Sequence, residues 1–190
     1  MAEYFIDLVA ALQSDPDIDE IGIIMTAPPP AVVVTEHKLG VSMGILKPLF
    51  LYAFSEFQPL VARVRSLPTE GPEYRQESTR GMFLSTAILI VKGDIGLALN
   101  FRKEMIMSNM TSCENELKFL RMLFSRHPKS PAAWQHRRFC LERMMAAGTA
   151  LDVAQEKELC RSMAELYPKN YYAWNHRLWL LSFMSQSQVL

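Results

Sequence analysis

The sequence predicts an all-α fold: a right-handed superhelix of antiparallel helix-pair repeats, with a short extended decoration near the N-terminus. The first observation is a motif that occurs twice. Pro128-Lys129 precedes Trp134-Gln135-His136-Arg137, and Pro168-Lys169 precedes Trp174-Asn175-His176-Arg177. A constant offset of about forty residues is typical of stacked helical repeats. The second observation is that apolar residues recur at helical spacing before and after each motif, between residues suited to begin and end helices.

Composition excludes several classes of protein. Twenty basic residues balance twenty acidic ones, which gives no electrostatic reason to expect nucleic acid binding. Three cysteines without a C-x-x-C spacing argue against a disulfide framework or a zinc cluster, and favour a reducing compartment. The N-terminus does not resemble a secretory signal, and the longest apolar run, Met82 to Val91, is about half of what a spanning helix needs. We therefore expect a soluble, cytosolic or peripheral protein that does not span a membrane.

Residues 1–72 form the first predicted region. Apolar spacing over residues 3–13 predicts a short amphipathic helix. Two β-rich runs, residues 21–25 and 32–34, flank a triple proline that favours an extended conformation. These runs predict two short extended segments, and a small hairpin would fit them. We favour a local decoration of the first helices over the alternative, an ordered arm that packs on a partner.

Two longer helices follow. The first is predicted over residues 48–67, where Pro59 would kink or split it. The second is predicted over residues 73–91. Asp94 then suits a capping position for the next helix.

Residues 73–190 form the predicted repeat region. A degenerate copy near residues 95–110 places Leu99 at the Trp134 position and Arg102 at the Arg137 position. The clear copies lie near residues 112–147 and 151–184, each with two helices. Predicted caps begin four of these helices: Thr111, Ser130, Asp152 and Asn170. In the last helix we expect Trp174, Leu178 and Leu181 to face inward.

The motif residues suggest two kinds of role. The repeat signature is predicted to hold neighbouring repeats together, and it comprises Trp134, His136, Arg137, Trp174, His176 and Arg177. A buried arginine must be paired, so we expect a carboxylate or carbonyl from a neighbouring helix. A metal site would need His136 and His176 to converge, and we predict none. Lys129 and Lys169 precede helix N-termini, which suit an anion, although such lysines are more often only solvated.

The doubled pattern Pro-Lys-x-x-x-x-Trp-x-His-Arg resembles the protein prenyltransferase alpha-subunit repeat, found in the alpha subunits of farnesyltransferase and the geranylgeranyltransferases. The resemblance implies a crescent of helix pairs that wraps a beta subunit, and it favours the alpha subunit of a type III geranylgeranyltransferase. The implied partner is a beta subunit of the Rab geranylgeranyltransferase type, which would hold the zinc and the isoprenoid pocket. This chain would bind no cofactor and would not be catalytic alone. Geranylgeranyl diphosphate and a cysteine-bearing protein substrate would meet it in the complex, in the cytoplasm and peripherally at Golgi-type membranes.

The resemblance also implies site residues. A lysine of the family's Pro-Lys-Asn-Tyr motif approaches the diphosphate, and Lys129 matches it best because Arg137-Arg138 follows. Here Ser130-Pro131 replaces Asn-Tyr, whereas Lys169-Asn170-Tyr171 keeps the motif one repeat later. Lys169, Tyr171 and Tyr172 are therefore weaker substrate-binding candidates.

The family has five or more repeats, and this chain has about two and a half. We therefore expect a C-terminally shortened form that exposes the face a further repeat would cover. The rival hypothesis is a helical-repeat scaffold that binds partners without transferase activity. No motif in the sequence indicates a stand-alone hydrolase or metalloenzyme.

Overall fold

The computed structural model describes residues 2–25 and 29–187, with side chains described as far as residue 182. In this part of the chain, eight α-helices accompany a three-stranded sheet. The elements are α1 (Ala2–Ser14), β1 (Glu20–Ile24), β2 (Val32–Thr35), β3 (Lys38–Ser42), α2 (Met43–Ser66), α3 (Pro72–Val91), α4 (Gly96–Met107), α5 (Cys113–Arg126), α6 (Pro131–Ala146), α7 (Val153–Leu166) and α8 (Tyr171–Ser187). The predicted helical-repeat architecture is confirmed, with a small sheet as its N-terminal decoration.

The sheet differs from the predicted pair of segments. A third strand, β3, lies between the other two, so β1 and β2 do not pair with each other. β3 pairs parallel with β1 and antiparallel with β2. The hairpin therefore joins β2 to β3, and its two turn residues, Glu36 and His37, have positive φ angles of 50° and 61°. Such a turn matches the twist of the flanking strands. Residues 26–28, which include the first residue of the predicted triple proline, lie outside the described residues.

The sheet packs against the helices of its own chain. Ile21, Leu39 and Val41 are buried in the main hydrophobic core. The Ile21 backbone N–H donates a hydrogen bond to Ser125 Oγ of α5 at 2.8 Å. These contacts tie the sheet to the repeat region, and not only to the first helices as predicted.

α2 does not break at its prolines. The chain stays helical from Met43 to Ser66, through both Pro48 and Pro59. The predicted split at Pro59 is therefore wrong. Pro59 has no N–H to donate to the Ser55 carbonyl one turn earlier. Both residues are exposed to solvent. Water can satisfy that carbonyl, so the helix continues.

α3 carries the longest apolar run into the core, where Leu84, Ile88, Leu89 and Ile90 are fully buried. No helix in the described ranges is both long enough and apolar enough to span a bilayer. The predicted cap at Asp94 is wrong, because α4 begins after Ile95 without a side-chain cap. Asp94 instead accepts a hydrogen bond from the Ser130 hydroxyl.

Side-chain caps begin the paired helices. Ser130, Asp152 and Asn170 cap α6, α7 and α8 as predicted. The cap of α5 is Ser112, one residue later than the predicted Thr111, and its hydroxyl accepts from the Asn115 backbone N–H at 3.2 Å. Gly148 follows α6 with a φ of 81°, a left-handed conformation that favours glycine.

One expectation about α8 is wrong. Ala173, His176 and Leu180 face the core, whereas Trp174, Leu178 and Leu181 are 48%, 66% and 43% exposed. The equivalent α6 residues Trp134 and Leu141 are only 3% and 2% exposed. α8 itself covers Trp134, and no described element covers α8 in the same way.

Candidate functional site

Each helix pair is joined to the next by a buried arginine that binds a buried glutamate. Arg102 of α4 donates two hydrogen bonds to the Glu116 carboxylate of α5, from Nε at 2.7 Å and from Nη2 at 2.9 Å. Arg137 of α6 binds Glu156 of α7 in the same two-pronged manner, with Nε at 2.9 Å. The predicted carboxylate partner of Arg137 is confirmed. Arg102 makes the same kind of contact, as its alignment with Arg137 predicts.

A histidine of the following helix completes each cluster. His136 Nε2 lies 2.8 Å from Glu116 Oε1, and His176 Nε2 lies 3.2 Å from Glu156 Oε2. Both imidazole side chains are fully buried. Their Nδ1 atoms have no hydrogen-bond partner among the described residues. For His176, this arrangement favours a neutral ring that donates its Nε2–H to the Glu156 carboxylate.

The clusters shift the pKa of their ionisable groups. Burial raises the pKa of Glu116, but the Arg102 charge and the His136 hydrogen bond outweigh it, and the pKa falls to about 2. Burial also raises the pKa of Glu156, but the hydrogen bonds that His176 and Arg137 donate to it outweigh this effect, and the pKa falls to about 2. Burial lowers the pKa of His176, and the nearby Glu156 only partly offsets this. Both carboxylates are therefore ionised at neutral pH.

The residue that caps each second helix also binds the preceding repeat. The Ser130 hydroxyl donates to the Gly93 carbonyl at 3.0 Å, and Asn170 Nδ2 donates to the Pro128 carbonyl at 2.8 Å. The Trp134 indole N–H shares that Pro128 carbonyl at 2.8 Å. The Trp134 ring stacks on Phe124, with ring centroids 4.2 Å apart, and contacts the His176 ring at 5.0 Å. Trp134 thus bridges two repeats.

The lysine candidates lie in the turns ahead of α6 and α8, and both are exposed. Lys129 Nζ lies 4.8 Å from the centroid of the Tyr167 ring, a cation–π contact. The Tyr171 and Tyr172 rings meet edge to face at 5.7 Å. No described hydrogen bond, ion pair or ring contact joins Lys129 to Lys169 or to either of these tyrosines.

A surface cavity of about 440 Å³ lies elsewhere. It is lined by the loop of residues 16–19 and by parts of α5, α6 and α7, including Arg137 and Glu156, and neither candidate lysine lines it. Within the described ranges, no three His, Cys, Asp or Glu side chains are placed so that they could hold a metal ion.

Sequence reasoning missed Glu116 and Glu156, the centres of the two clusters. Each is the fourth residue of its helix, and each precedes its histidine partner by 20 residues. That recurrence was available in the sequence. Glutamates in the first turn of a helix are common, however, because they favour the positive end of the helix dipole. Glu116 and Glu156 recur at the same distance before the tryptophan motif, and this regularity could have distinguished them from the other glutamates.

Comparison with known proteins identifies the repeats. The family model described as "Protein prenyltransferase alpha subunit repeat" matches residues 113–144 and 153–184. These ranges cover the helix pairs α5–α6 and α7–α8, and therefore both clear copies of the motif.

Curated relatives extend the similarity toward the N-terminus. Protein prenyltransferase alpha subunit repeat-containing protein 1 of Danio rerio is 29% identical over an alignment of 168 residues, which covers 83% of this chain and 37% of that protein. Protein 1-A of Xenopus laevis is 28% identical over 84% of this chain and 36% of its own length. The Homo sapiens protein is 30% identical over 73% of this chain and 33% of its own length. The chain thus spans about a third of the length of these relatives.

Proposed function

Because two of its helix pairs match the protein prenyltransferase alpha subunit repeat, we propose that the chain acts as the alpha-type subunit of a two-subunit protein prenyltransferase. The proposed partner is a beta subunit of the Rab geranylgeranyltransferase type. In this proposal the complex transfers a geranylgeranyl group to a cysteine of a protein substrate. It works in the cytoplasm, and it meets Golgi-type membranes only through its substrates.

The observation that carries the proposal is the pair of matched repeats in one rigid stack. Buried arginine–glutamate pairs fix α4 to α5 and α6 to α7. Because the caps of α6 and α8 also bind the preceding turns, the two Pro-Lys turns are held in fixed positions on successive repeats. Such a scaffold can present lysines to a partner without reorganisation.

In the proposed complex, Lys129 contacts the diphosphate of geranylgeranyl diphosphate. It is exposed and lies directly before the cap of α6, where the N-terminal backbone N–H groups and the helix dipole favour an anion. Its described neighbour is the Tyr167 ring, which leaves the ammonium group without a carboxylate partner within the described part of the chain. Lys169, Tyr171 and Tyr172 are the secondary candidates for substrate contact.

The reactive metal belongs to the partner in this proposal. Zinc in the beta subunit would activate the substrate thiolate, and this chain would supply no ligand to it. The chain's own contribution is to stabilise the beta subunit and to place a positive charge near the departing diphosphate.

Co-expression with a Rab-type beta subunit tests the proposal. We expect a complex that survives size-exclusion chromatography and transfers geranylgeranyl to a cysteine-bearing substrate. Lys129→Ala should lower the transfer rate by about tenfold or more, because it removes a charge at the leaving group. Lys47→Ala, an exposed lysine on α2, is the matched control and should leave the rate unchanged.

A second candidate function is a partner-binding scaffold without transferase activity. The contact between Lys129 and the Tyr167 ring favours it, because this contact gives the lysine a structural role. A complex that forms without any transfer, and equally well with Lys129→Ala, would support the scaffold. Failure to form any complex with the beta subunit would contradict the proposed function itself.

A further inference from the structure

Two neighbouring cavities form one groove along α7. The cavity of about 440 Å³ and a second cavity of about 360 Å³ share four lining residues: Asp19, Arg121, Gln155 and Leu159. On the α7 side the lining runs from Asp152, which caps the helix, to Leu166, its last residue. At 1.5 Å per residue this length is about 20 Å. We name this depression the α7 groove.

Apolar side chains line the α7 groove along its length. Leu117 of α5 and Leu141 of α6 line the first cavity, and Leu159 lines both. Met163 and Leu166 continue the apolar lining in the second cavity, and Leu166 is 53% exposed. A ligand in the groove would therefore remove apolar surface from water.

The exposed charges of the lining are mainly negative. Six carboxylates belong to it: Asp17, Asp19, Glu20, Glu114, Asp152 and Glu158. The exposed bases are Lys38, Lys118 and Arg121. Two of these bases already bind carboxylates of the groove, since Lys118 Nζ lies 3.4 Å from Asp17 Oδ1 and Lys38 Nζ lies 2.6 Å from Glu20 Oε2. The groove thus carries excess negative charge, although the whole chain has a net charge of zero.

Glu114 and Asp152 contribute to this excess in the first cavity, which the half-buried Leu117 and Leu151 also line. Asp152 Oδ1 accepts a hydrogen bond from the Gln155 backbone N–H at 2.9 Å, and Glu114 is hydrogen-bonded to Ser112. Neither carboxylate forms an ion pair with a side chain in the described part of the molecule. A cation beside an apolar group is therefore the complementary chemistry.

We propose that the α7 groove binds an extended segment of a partner protein in which basic residues alternate with large apolar residues. Alternate side chains of an extended chain point to opposite sides. The apolar ones can therefore cover Leu117, Leu159 and Met163, while the basic ones reach the carboxylates of the lining. At about 3.3 Å per residue, about six residues span the groove.

This site is separate from the one proposed for transfer. Neither Lys129 nor Lys169 lines the α7 groove. The binding test below needs no beta subunit, so its failure would leave the proposed transferase function standing, and the reverse also holds.

Fluorescence anisotropy with three labelled hexapeptides tests the proposal on the full chain. The probes are Lys-Leu-Lys-Leu-Lys-Leu, Glu-Leu-Glu-Leu-Glu-Leu and Lys-Ser-Lys-Ser-Lys-Ser. Peptides this short do not form a stable helix in water, so their binding reports on an extended ligand. We expect the lysine–leucine peptide to bind at least about tenfold more tightly than the other two, because it alone supplies both apolar side chains and positive charge.

Charge reversal shows whether the peptide lies in the groove. Glu114→Lys should weaken binding of the lysine–leucine peptide by about fivefold or more, and should strengthen binding of the glutamate–leucine peptide. Glu73→Lys is the matched control, because Glu73 is also exposed and is also the second residue of its helix, yet lines neither cavity. It should leave both affinities unchanged.

A variant of the apolar lining completes the set. Leu151→Ser should weaken the lysine–leucine peptide by about fivefold, because it removes apolar surface that the peptide would cover, and should not change binding of the lysine–serine peptide. Circular dichroism of each variant reports whether the helices are retained.

Three outcomes would overturn the proposal. If the lysine–leucine peptide does not bind at about 1 mM, the groove is not a peptide site. If the lysine–serine peptide binds equally well, the attraction is only ionic and the apolar lining plays no part. If Glu114→Lys and Glu73→Lys bind the lysine–leucine peptide equally well, the peptide lies outside the groove.

Discussion

Trp134 and Trp174 hold the same position in consecutive repeats, yet one is buried and the other is nearly half exposed. Their own helices do not explain the difference, since each tryptophan lies four residues after a polar cap. The difference comes from the next helix pair along the chain, because α8 places His176 against the Trp134 ring. The repeat motif therefore serves to bind the next helix pair, and it does not by itself bury the tryptophan of its own helix pair.

The largest expected effect concerns the glutamate at the centre of a junction. Glu116→Ala should destabilise the fold by about 3–5 kcal/mol, because it leaves the Arg102 charge buried without a partner. Glu165→Ala is the matched control, since it breaks only an exposed pair with Arg161 and should cost about 0–1 kcal/mol. Urea unfolding of both variants measures the difference. Equal losses would show that the buried cluster contributes no more than a surface pair.

The two tryptophans offer the next test. Trp134→Ala should cost about 3 kcal/mol, because it opens a cavity between Phe124 and His176. Trp174→Ala should cost less than about 1 kcal/mol, since the residue is nearly half exposed and no described element covers it. Thermal and urea unfolding would compare them. A cost for Trp174→Ala as large as that for Trp134→Ala would contradict the interpretation of the motif as a junction.

Acid should weaken the junctions in two stages. The folded pKa of Glu116 and of Glu156 is about 2, below the ordinary value of 4.5, so their stabilisation is present above pH 4.5 and is lost as the pH falls toward 2. The folded pKa of His176 lies below 6.5, so below that pH the unfolded chain binds a proton that the folded chain excludes. Stability should therefore begin to fall below about pH 6.5, and the half-buried His127, whose pKa is also lowered, contributes in the same direction.

Urea unfolding at pH 7.5, 5.5 and 4.0 checks this profile. His176→Gln should reduce the step between pH 7.5 and 5.5, with the His127 contribution remaining, while leaving the lower step in place. A profile that stays flat from pH 7.5 to 4.0 would contradict the assignment of a neutral, buried imidazole.

The smallest expected effect separates two helix caps. Ser112→Ala should cost about 1 kcal/mol, because Ser112 caps α5 alone. Ser130→Ala should cost about 2 kcal/mol, because Ser130 caps α6 and its one hydroxyl proton is shared between the Gly93 carbonyl and Asp94. Identical costs would indicate that the second role of Ser130 contributes nothing.

The repeat architecture could be predicted from the sequence because its signals are local and recur in phase. The caps Ser130, Asp152 and Asn170 follow from residue type and position alone. The third strand could not be found in this way, because the Glu36-His37 turn lacks the Asn-Gly or Asp-Gly pattern that marks such hairpins. The uninterrupted α2 likewise depends on the exposure of Pro59, which is a property of the tertiary structure.

The candidate site, too, could be predicted from the sequence only in part. The pairing of Arg137 could be predicted from the cost of a buried charge, but not the identity of its partner, since any acidic residue in the neighbouring helix would have served. The exposure of Trp174 contradicted the expectation, because helical periodicity shows which residues share a face and not what covers that face. Lys129 was expected to be free at a helix start, and its contact with Tyr167 comes from the next repeat.

A double-mutant cycle on Arg137 and Glu156 tests most directly whether the repeats are held together by their buried ion pairs. Arg137→Met, Glu156→Gln and the double variant would be compared with the unchanged chain by urea unfolding at pH 7.5. We predict a coupling free energy of about 1.5–3 kcal/mol, with the double variant less destabilised than the sum of the single variants. Additive losses, within about 0.5 kcal/mol, would show that the two residues act independently and would contradict the account.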